Sequence, residues 1–386
     1  MAERIIEHHG YLNDRPRMDA YARAIAAIVK PGDVVMDLGA GTGIFGVLAA
    51  RAGARRIYSV DGGGMIEVAR MIARANGVAD RFVFMKGMSN RVDPGEPIDV
   101  VIADQAASFV FQAGVFEYFA DARRRFLKPG GHFIPYQFDL MLAPIENDEL
   151  RGHVGLWQSP VHGVDVTPGA PIAANDWYDV HFKPADLIGP PTVLASIESS
   201  DDRPFRGEVE LPVDRNGTIH GIGGFFRARL APGIDMSSSP LDPAPIGRNT
   251  IFFPIERAVA VTAGDRIRTA FSVDPVRQIY GWTVSIADRD GVSRYRSSHS
   301  TFRGAIVAQE ELDRSRPSFI PALSARDAAR RTILDLCDGV RTVAEIEAEV
   351  TRRHPECFPA SADASALVAL VIGACELRKD NDDSRK

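Results

Sequence analysis

Asp37-Leu38-Gly39-Ala40-Gly41-Thr42-Gly43 closes the apolar run Val34-Val35-Met36 and opens Ile44 to Ala52, a stretch with helical apolar spacing. A strand that breaks into glycines and then into a helix brings backbone N–H groups up to a ligand with no Cβ in the way, and the crevice at the carboxyl ends of such strands is a binding crevice. The same grammar repeats outward. Tyr21 to Val29 reads as a helix closed by Lys30-Pro31-Gly32, and Met65 to Asn76 as another; Ile57 to Asp61, Phe82 to Met85 and Ile98 to Ala103 read as strands. Strands separated by helical segments of this length predict an α/β, Rossmann-like fold with a parallel sheet and right-handed crossovers.

After Pro129-Gly130-Gly131 the texture changes. Prolines and glycines recur, and the apolar runs shorten and alternate, as in Gly221 to Phe226, Ile251 to Phe253 and Trp282 to Ile286. That is antiparallel β patterning and predicts a barrel or sandwich. From about Pro317 a third texture begins, with helices expected over Ala325 to Leu336, Thr342 to Arg353 and Ala364 to Leu377. The expected division is 1–138, 139–300 and 315–380.

The chain has 386 residues, 45% of them hydrophobic, with 45 Lys and Arg against 51 Asp and Glu. A core of real size is therefore available, and neither disorder nor a small disulfide scaffold fits. The formal charge of -6 argues against coating nucleic acid or an anionic membrane by bulk electrostatics. No apolar run is long enough for a secretory signal or a membrane-spanning helix, so a soluble cytoplasmic protein is expected. Cys337, Cys357 and Cys375 form neither a CxxC pair nor an even disulfide set; buried thiols and no metal site are expected.

Two ligand classes suit the glycine loop. Gly41 to Gly46 spells the GxGxxG dinucleotide pattern, and Asp61 follows at the distance that takes ribose hydroxyls. The glycines, however, begin earlier, at Gly39, and an acid, Asp37, sits at the strand's own end. A carboxylate there offsets the sulfonium and ammonium of S-adenosylmethionine, whereas beside a pyrophosphate it would only repel. The acid therefore favours S-adenosylmethionine, although the glycine spacing alone does not choose.

A family resemblance rests on several separate stretches. These are His8-His9-Gly10-Tyr11-Leu12-Asn13-Asp14-Arg15-Pro16-Arg17, Tyr21, the loop from Asp37 to Gly43, Ala52 to Tyr58, Lys86-Gly87 and Leu127 to Gly131. Together they resemble the protein arginine methyltransferases, class I S-adenosylmethionine-dependent enzymes. Leu156-Trp157, Gly163 to Asp165, Ser239-Pro240 and Ala263 to Ile267 look like that family's β-barrel. The resemblance implies a Rossmann-like methyltransferase domain followed by a β-barrel, paired into a homodimer through an arm borne on the barrel. It also implies a cofactor set: Arg17 on the methionine carboxylate, Asp37 with Gly39, Ala40 and Gly41 at the loop, Asp61 and Gly62 at the ribose, and Met88, Ser89 and Asn90 around the adenine. Asp61 and Asn90 stand where the family usually has glutamates.

The acceptor end departs from the family. Its paired glutamates, which grip a guanidinium, correspond to the shorter Asp104 and to Ala113, and Pro245-Ile246-Gly247 replaces the Thr-His-Trp signature. One carboxylate cannot neutralise and orient a guanidinium as two do. Asp104 reads either as a catalytic base or orienting acceptor, or as a strand-end cap; Glu117, Gln105 and Gln112 are near enough in sequence to stand in for the lost acid. Pro317 to Pro321 with Ile333 to Ile346 resembles the PqqD-like winged-helix modules that hold precursor peptides, which implies a peptide bound by addition to a sheet edge. The leading expectation is a methyltransferase for a peptide or protein side chain. The alternatives are a methyltransferase for a small-molecule, carboxylate or hydroxyl acceptor, and a non-catalytic cofactor-binding scaffold that recruits a peptide.

Overall fold

The computed structural model describes residues 5–111, 114–358 and 361–375. The chain divides into two compact units, Met1–Ile306 and Val307–Lys386.

The first unit begins with helices α1 (Ile5–Asn13) and α2 (Arg15–Ile28), followed by alternating elements: β1 (Val34–Leu38), α3 (Ile44–Ala52), β2 (Arg56–Asp61), α4 (Met65–Ala75), β3 (Phe82–Lys86), β4 (Ile98–Ala103), α5 (Val115–Arg125) and β5 (Leu127–Ile134). The α2 helix starts earlier than its apolar spacing indicates because Asp14 caps it, accepting from the Arg17 amide, and Pro16 lies in its first turn. The five strands form a parallel sheet in the order β3-β2-β1-β4-β5. β1 lies between β2 and β4, so the strand order reverses there. This is the switch point at which open α/β sheets hold ligands. Every residue of β1 is buried, as a strand covered on both faces requires.

Antiparallel strands follow: β6 (Gln137–Ile145), β7 (Tyr178–Val180), β8 (Thr192–Glu198), β9 (Phe205–Pro212), β10 (Gly217–Ala231), β11 (Ile234–Ser237), β12 (Thr250–Val261), β13 (Arg266–Asp274), β14 (Ile279–Ala287) and β15 (Ser293–Ser300). Short helices α6 (Asp148–Gly155) and α7 (Ala170–Ala173) lie between β6 and β7, and α8 (Thr301–Gly304) follows β15. One sheet runs β7-β12-β10-β6-β8 with β11 added to β10, and the other runs β15-β14-β13-β9. The alternation is plain in β14, where Tyr280, Trp282, Val284 and Ile286 are buried and the residues between them are not. A single hydrophobic cluster runs from Ala20 in α2 through Phe109 to Tyr295 in β15. The α/β half and the β half therefore share one core.

The second unit contains α9 (Gln309–Arg314), α10 (Ala325–Leu336), α11 (Val343–Arg353) and α12 (Ser361–Ala374). Its own core includes Ala329, Ile333, Ile346, Val350 and Val368. Thr342 and Glu345 form the expected capping box at the start of α11. Among the described residues this unit has no strand, so the sheet edge expected for a winged-helix module is absent from them. Cys337, Cys357 and Cys375 are free and half-buried rather than fully buried.

Candidate functional site

Leu38 pairs in register with Ala103 at the ends of β1 and β4, so the next residues, Gly39 and Asp104, emerge side by side. Gly39, Gly41 and Gly43 all adopt positive φ (66°, 51° and 71°), which glycine takes without steric cost. Close approach adds a second reason. A Cβ on Gly39 would lie 1.2 Å from Gln105 Nε2, which donates to the Leu38 carbonyl.

This loop forms the floor of a cavity of about 340 Å³, whose walls include His8, Tyr11, Arg17, Phe45, Asp61, Asp104, Gln105 and Arg248. Asp61 turns both carboxylate oxygens to backbone amides, Oδ2 to Gly41 (2.8 Å) and Oδ1 to Gly63 (2.7 Å). Asp37 is fully enclosed below the loop and does not line the cavity; its Oδ2 accepts from the Gly46 amide at 2.9 Å, holding the first turn of α3. Burial pushes the Asp37 carboxyl up to about 7; the charges of Asp61 and Asp104 act in the same direction, and the Gly46 amide opposes them.

Arg17 and Asp104 meet inside the cavity. Arg17 Nε donates to Asp104 Oδ2 at 2.5 Å, Nη2 closes on the same oxygen, and Nη1 donates to the Tyr11 carbonyl at 2.5 Å. The Arg17 guanidinium carbon lies 5.6, 6.0 and 5.5 Å from the Tyr11, Tyr21 and Phe45 rings, within cation–π range. Tyr21 stacks on Phe45 and donates its hydroxyl to the Ala103 carbonyl. Burial, reinforced by the Asp104 charge, pushes that phenol well above its ordinary value, so it stays a donor.

Arg17, Gly39, Ala40, Gly41, Asp61 and Asp104 thus converge on one cavity. Gly62, Met88, Ser89 and Asn90 are not part of its wall. Met88 and Asn90 are exposed at the end of β3, and the buried Ser89 Oγ has no partner. Glu117 is exposed on α5 and does not reach the cavity, whereas Ala113 and Gln112 fall outside the described residues. Sequence reasoning missed Arg248, from the stretch between β11 and β12. Its Nη2 donates to the Asp104 carbonyl at 3.0 Å and to Oδ2 at 3.3 Å. The signal was the replaced signature itself: a cation directly follows Pro245-Ile246-Gly247 where a substrate pocket was expected.

Residues 21–135 match the family model described as ribosomal protein L11 methyltransferase (PrmA). A probable protein arginine N-methyltransferase 6.1 from Oryza sativa subsp. japonica is 31% identical over 258 residues, 63% of this chain and 64% of the relative. The protein arginine N-methyltransferase PRMT10 of the same plant is 27% identical over 301 residues, covering 68% and 79%. The chain is similar to protein arginine N-methyltransferases. It spans only about two thirds of the length of the two 6.1 relatives, 64% and 66%. The crystal structure of protein arginine methyltransferase 10 from Arabidopsis thaliana superposes with a TM-score of 0.67 at 21% identity, over 77% of this chain and 98% of that one. The Trypanosoma brucei PRMT1 enzyme–prozyme complex with AdoHcy gives 0.69 at 18% identity, over the same shares of each. The protein therefore has the α/β methyltransferase fold of these arginine methyltransferases.

Proposed function

We propose that the protein is an S-adenosylmethionine-dependent methyltransferase acting on a peptide or protein side chain, with an acceptor site altered from that of the arginine methyltransferases. One observation carries this reading: a glycine loop with positive φ, a ribose-ready carboxylate and a buried arginine–aspartate pair converge on one cavity at the switch point of a parallel sheet.

The residues fit the cofactor. Gly41 keeps the loop open, since a Cβ there would press within 2.8 Å of His8. Asp61, with each oxygen holding one backbone amide, keeps lone pairs for the two ribose hydroxyls. Arg17 is the planar, permanently charged partner that suits the methionine carboxylate, for which it exchanges Asp104. Asp37 lies enclosed beneath the loop, and a cation bound above would favour its ionised form, which burial opposes. The exposed Met88 thioether, 3.0 Å from the Cβ position of Gly62, is the apolar contact for the adenine end, whereas the buried Ser89 Oγ does not face it. Bound S-adenosylmethionine supplies an electrophilic methyl carbon on a sulfonium. Asp104 then meets the incoming nucleophile, orienting its hydrogen, and Tyr21 with Phe45 excludes water behind it.

A peptide acceptor is supported by the relatives' names and by the resemblance of residues 315–380 to peptide-holding modules. The described part of that unit is helical, so the addition to a sheet edge that the resemblance implies finds no strand among the described residues. In this reading the two antiparallel sheets formed by residues 139–300 take the place of the barrel, with its dimer arm, that the family resemblance implies. Calorimetric titration of S-adenosylmethionine and its thioether product tests the cofactor reading: both bind the wild type, and Arg17→Ala and Asp61→Ala weaken them. Unchanged affinity in both variants, or no binding by the wild type, rejects it.

A further inference from the structure

Asp104 is the one acid at the acceptor end of the cavity among the described residues, and its two oxygens differ. Oδ2 takes both Arg17 and Arg248, while Oδ1 is buried without a hydrogen bond, with the Tyr21 hydroxyl close enough to feel the carboxylate. Arg248 is built into this position. Gly247, directly before it, donates its amide to Asp14 Oδ2 at 2.9 Å, and Ile246 is buried. The Arg248 guanidinium stacks 4.8 Å from the Tyr11 ring, and its side chain is 15% exposed. The chain has thus placed a guanidinium of its own against the carboxylate that would receive a substrate arginine.

Resting on the proposed cofactor site, we infer that Arg248 is a specificity residue that refuses cationic guanidinium acceptors and selects an uncharged side chain offering both a hydrogen and a lone pair. Once the cofactor carboxylate engages Arg17, Asp104 and Arg248 remain as a neutral pair. A second guanidinium has five donors and no acceptor, so it can use Asp104 Oδ1 but gives Arg248 nothing and repels it. An anionic carboxylate suits Arg248 but meets the bare Oδ1. A group with an X–H for Oδ1 and a lone pair for the unused N–H groups of Arg248 satisfies both at once, a property that hydroxyl, carboxamide and imidazole side chains share.

The test uses the full chain saturated with S-adenosylhomocysteine and calorimetric titration with ethylguanidinium chloride, on the wild type, Arg248→Gln and Arg248→Met. Both variants should bind ethylguanidinium at least about tenfold more tightly than the wild type. Equal affinity, or none in all three proteins, overturns the inference. Retained S-adenosylhomocysteine binding reports that a variant is folded, and methionine keeps the packing over Tyr11 if glutamine does not. A wild type that fails to bind S-adenosylhomocysteine rejects the cofactor reading instead, and the same titration on the unloaded proteins still decides the role of Arg248. A second arm titrates ethanol, acetamide and imidazole into the loaded wild type. Binding of any one of them in preference to ethylguanidinium supports the selection and identifies the acceptor class; a preference for ethylguanidinium overturns it.

Discussion

Arg17 and Asp104, 87 residues apart, form an ion pair with side chains only 6% and 8% exposed, at the point where a cofactor carboxylate and an acceptor nucleophile would each need one of them. Each partner therefore leaves a buried charge in need of compensation when the other is removed. Arg17→Ala leaves Asp104 with Arg248 alone. We expect S-adenosylhomocysteine affinity to fall about 10- to 100-fold, with Arg17→Lys recovering part of it because an ammonium cannot form the bidentate contact. Calorimetry on the three proteins measures this, and equal affinities would contradict the assignment.

Asp37 makes stability depend on pH. Its folded carboxyl titrates at about 7 against an ordinary value of 3.8, so the folded state holds a proton that the unfolded chain has released. The contribution is fully present below about pH 4 and is lost as pH rises through 7. Asp37→Asn keeps an oxygen for the Gly46 amide and removes the titration. In urea unfolding at pH 5 and pH 8, the variant should gain on the wild type as pH rises. A stability difference that does not change with pH would show that Asp37 titrates normally.

The α/β half was legible because local chemistry and tertiary burial agree there. Val34 to Met36 and Val100 to Ala103 are continuous apolar runs, as strands buried on both faces must be, and Ile44 to Ala52 forms a helix over the expected span. The glycines of the loop were legible because their positive φ leaves few other residues. Arg248 was not, because an isolated arginine in a Pro- and Gly-rich stretch carries no period and no spacing. Its role comes from a contact 144 residues away in sequence, through a chain reversal that no local pattern specifies. The C-terminal helices were legible from Thr342 and Glu345, whereas a wing among them was not supported by any strand-forming run.

Gly39→Ala combines two penalties that a double variant separates. The φ of 66° strains any Cβ by about 1 kcal/mol or more, and the new methyl overlaps the Gln105 amide, which must leave the Leu38 carbonyl. Adding Gln105→Ala makes room but leaves the backbone strain. Denaturant unfolding of the two single variants and the double should therefore be non-additive, with the double about as stable as Gly39→Ala alone. Strict additivity would place Gln105 elsewhere.

Thr342→Ala removes one half of the box at the start of α11, where Thr342 Oγ1 accepts from the Glu345 amide and Glu345 Oε2 accepts from the Thr342 amide at 2.7 Å. A loss of about 1 kcal/mol is expected. Because residues 307–386 form their own compact unit with a separate core, hydrogen exchange should quicken in α10 to α12 and remain unchanged in β1 and β4. Uniform quickening across both units would mean that they unfold together.

Phe109 tests whether the shared core positions the site. It is fully buried, packs edge-on against Phe253 of β12 and Phe271 of β13 at 5.7 and 5.5 Å, and lies five residues beyond Asp104 in the same loop. Its ring helps hold the loop after β4 against the β half, beside Ser108, whose hydroxyl donates to Asp179 Oδ1 of β7. Phe109→Ala should cost about 3–5 kcal/mol through lost burial and the cavity left behind. Phe109→Leu, nearer in volume, should cost less. If the anchoring argument holds, the leucine variant, still folded, weakens S-adenosylhomocysteine binding because Asp104 no longer sets the position of Arg17. Full retention of binding alongside the expected loss of stability would show that the loop holds its place without this ring, through the hydrogen bonds of Gln105, Ser108 and Arg248.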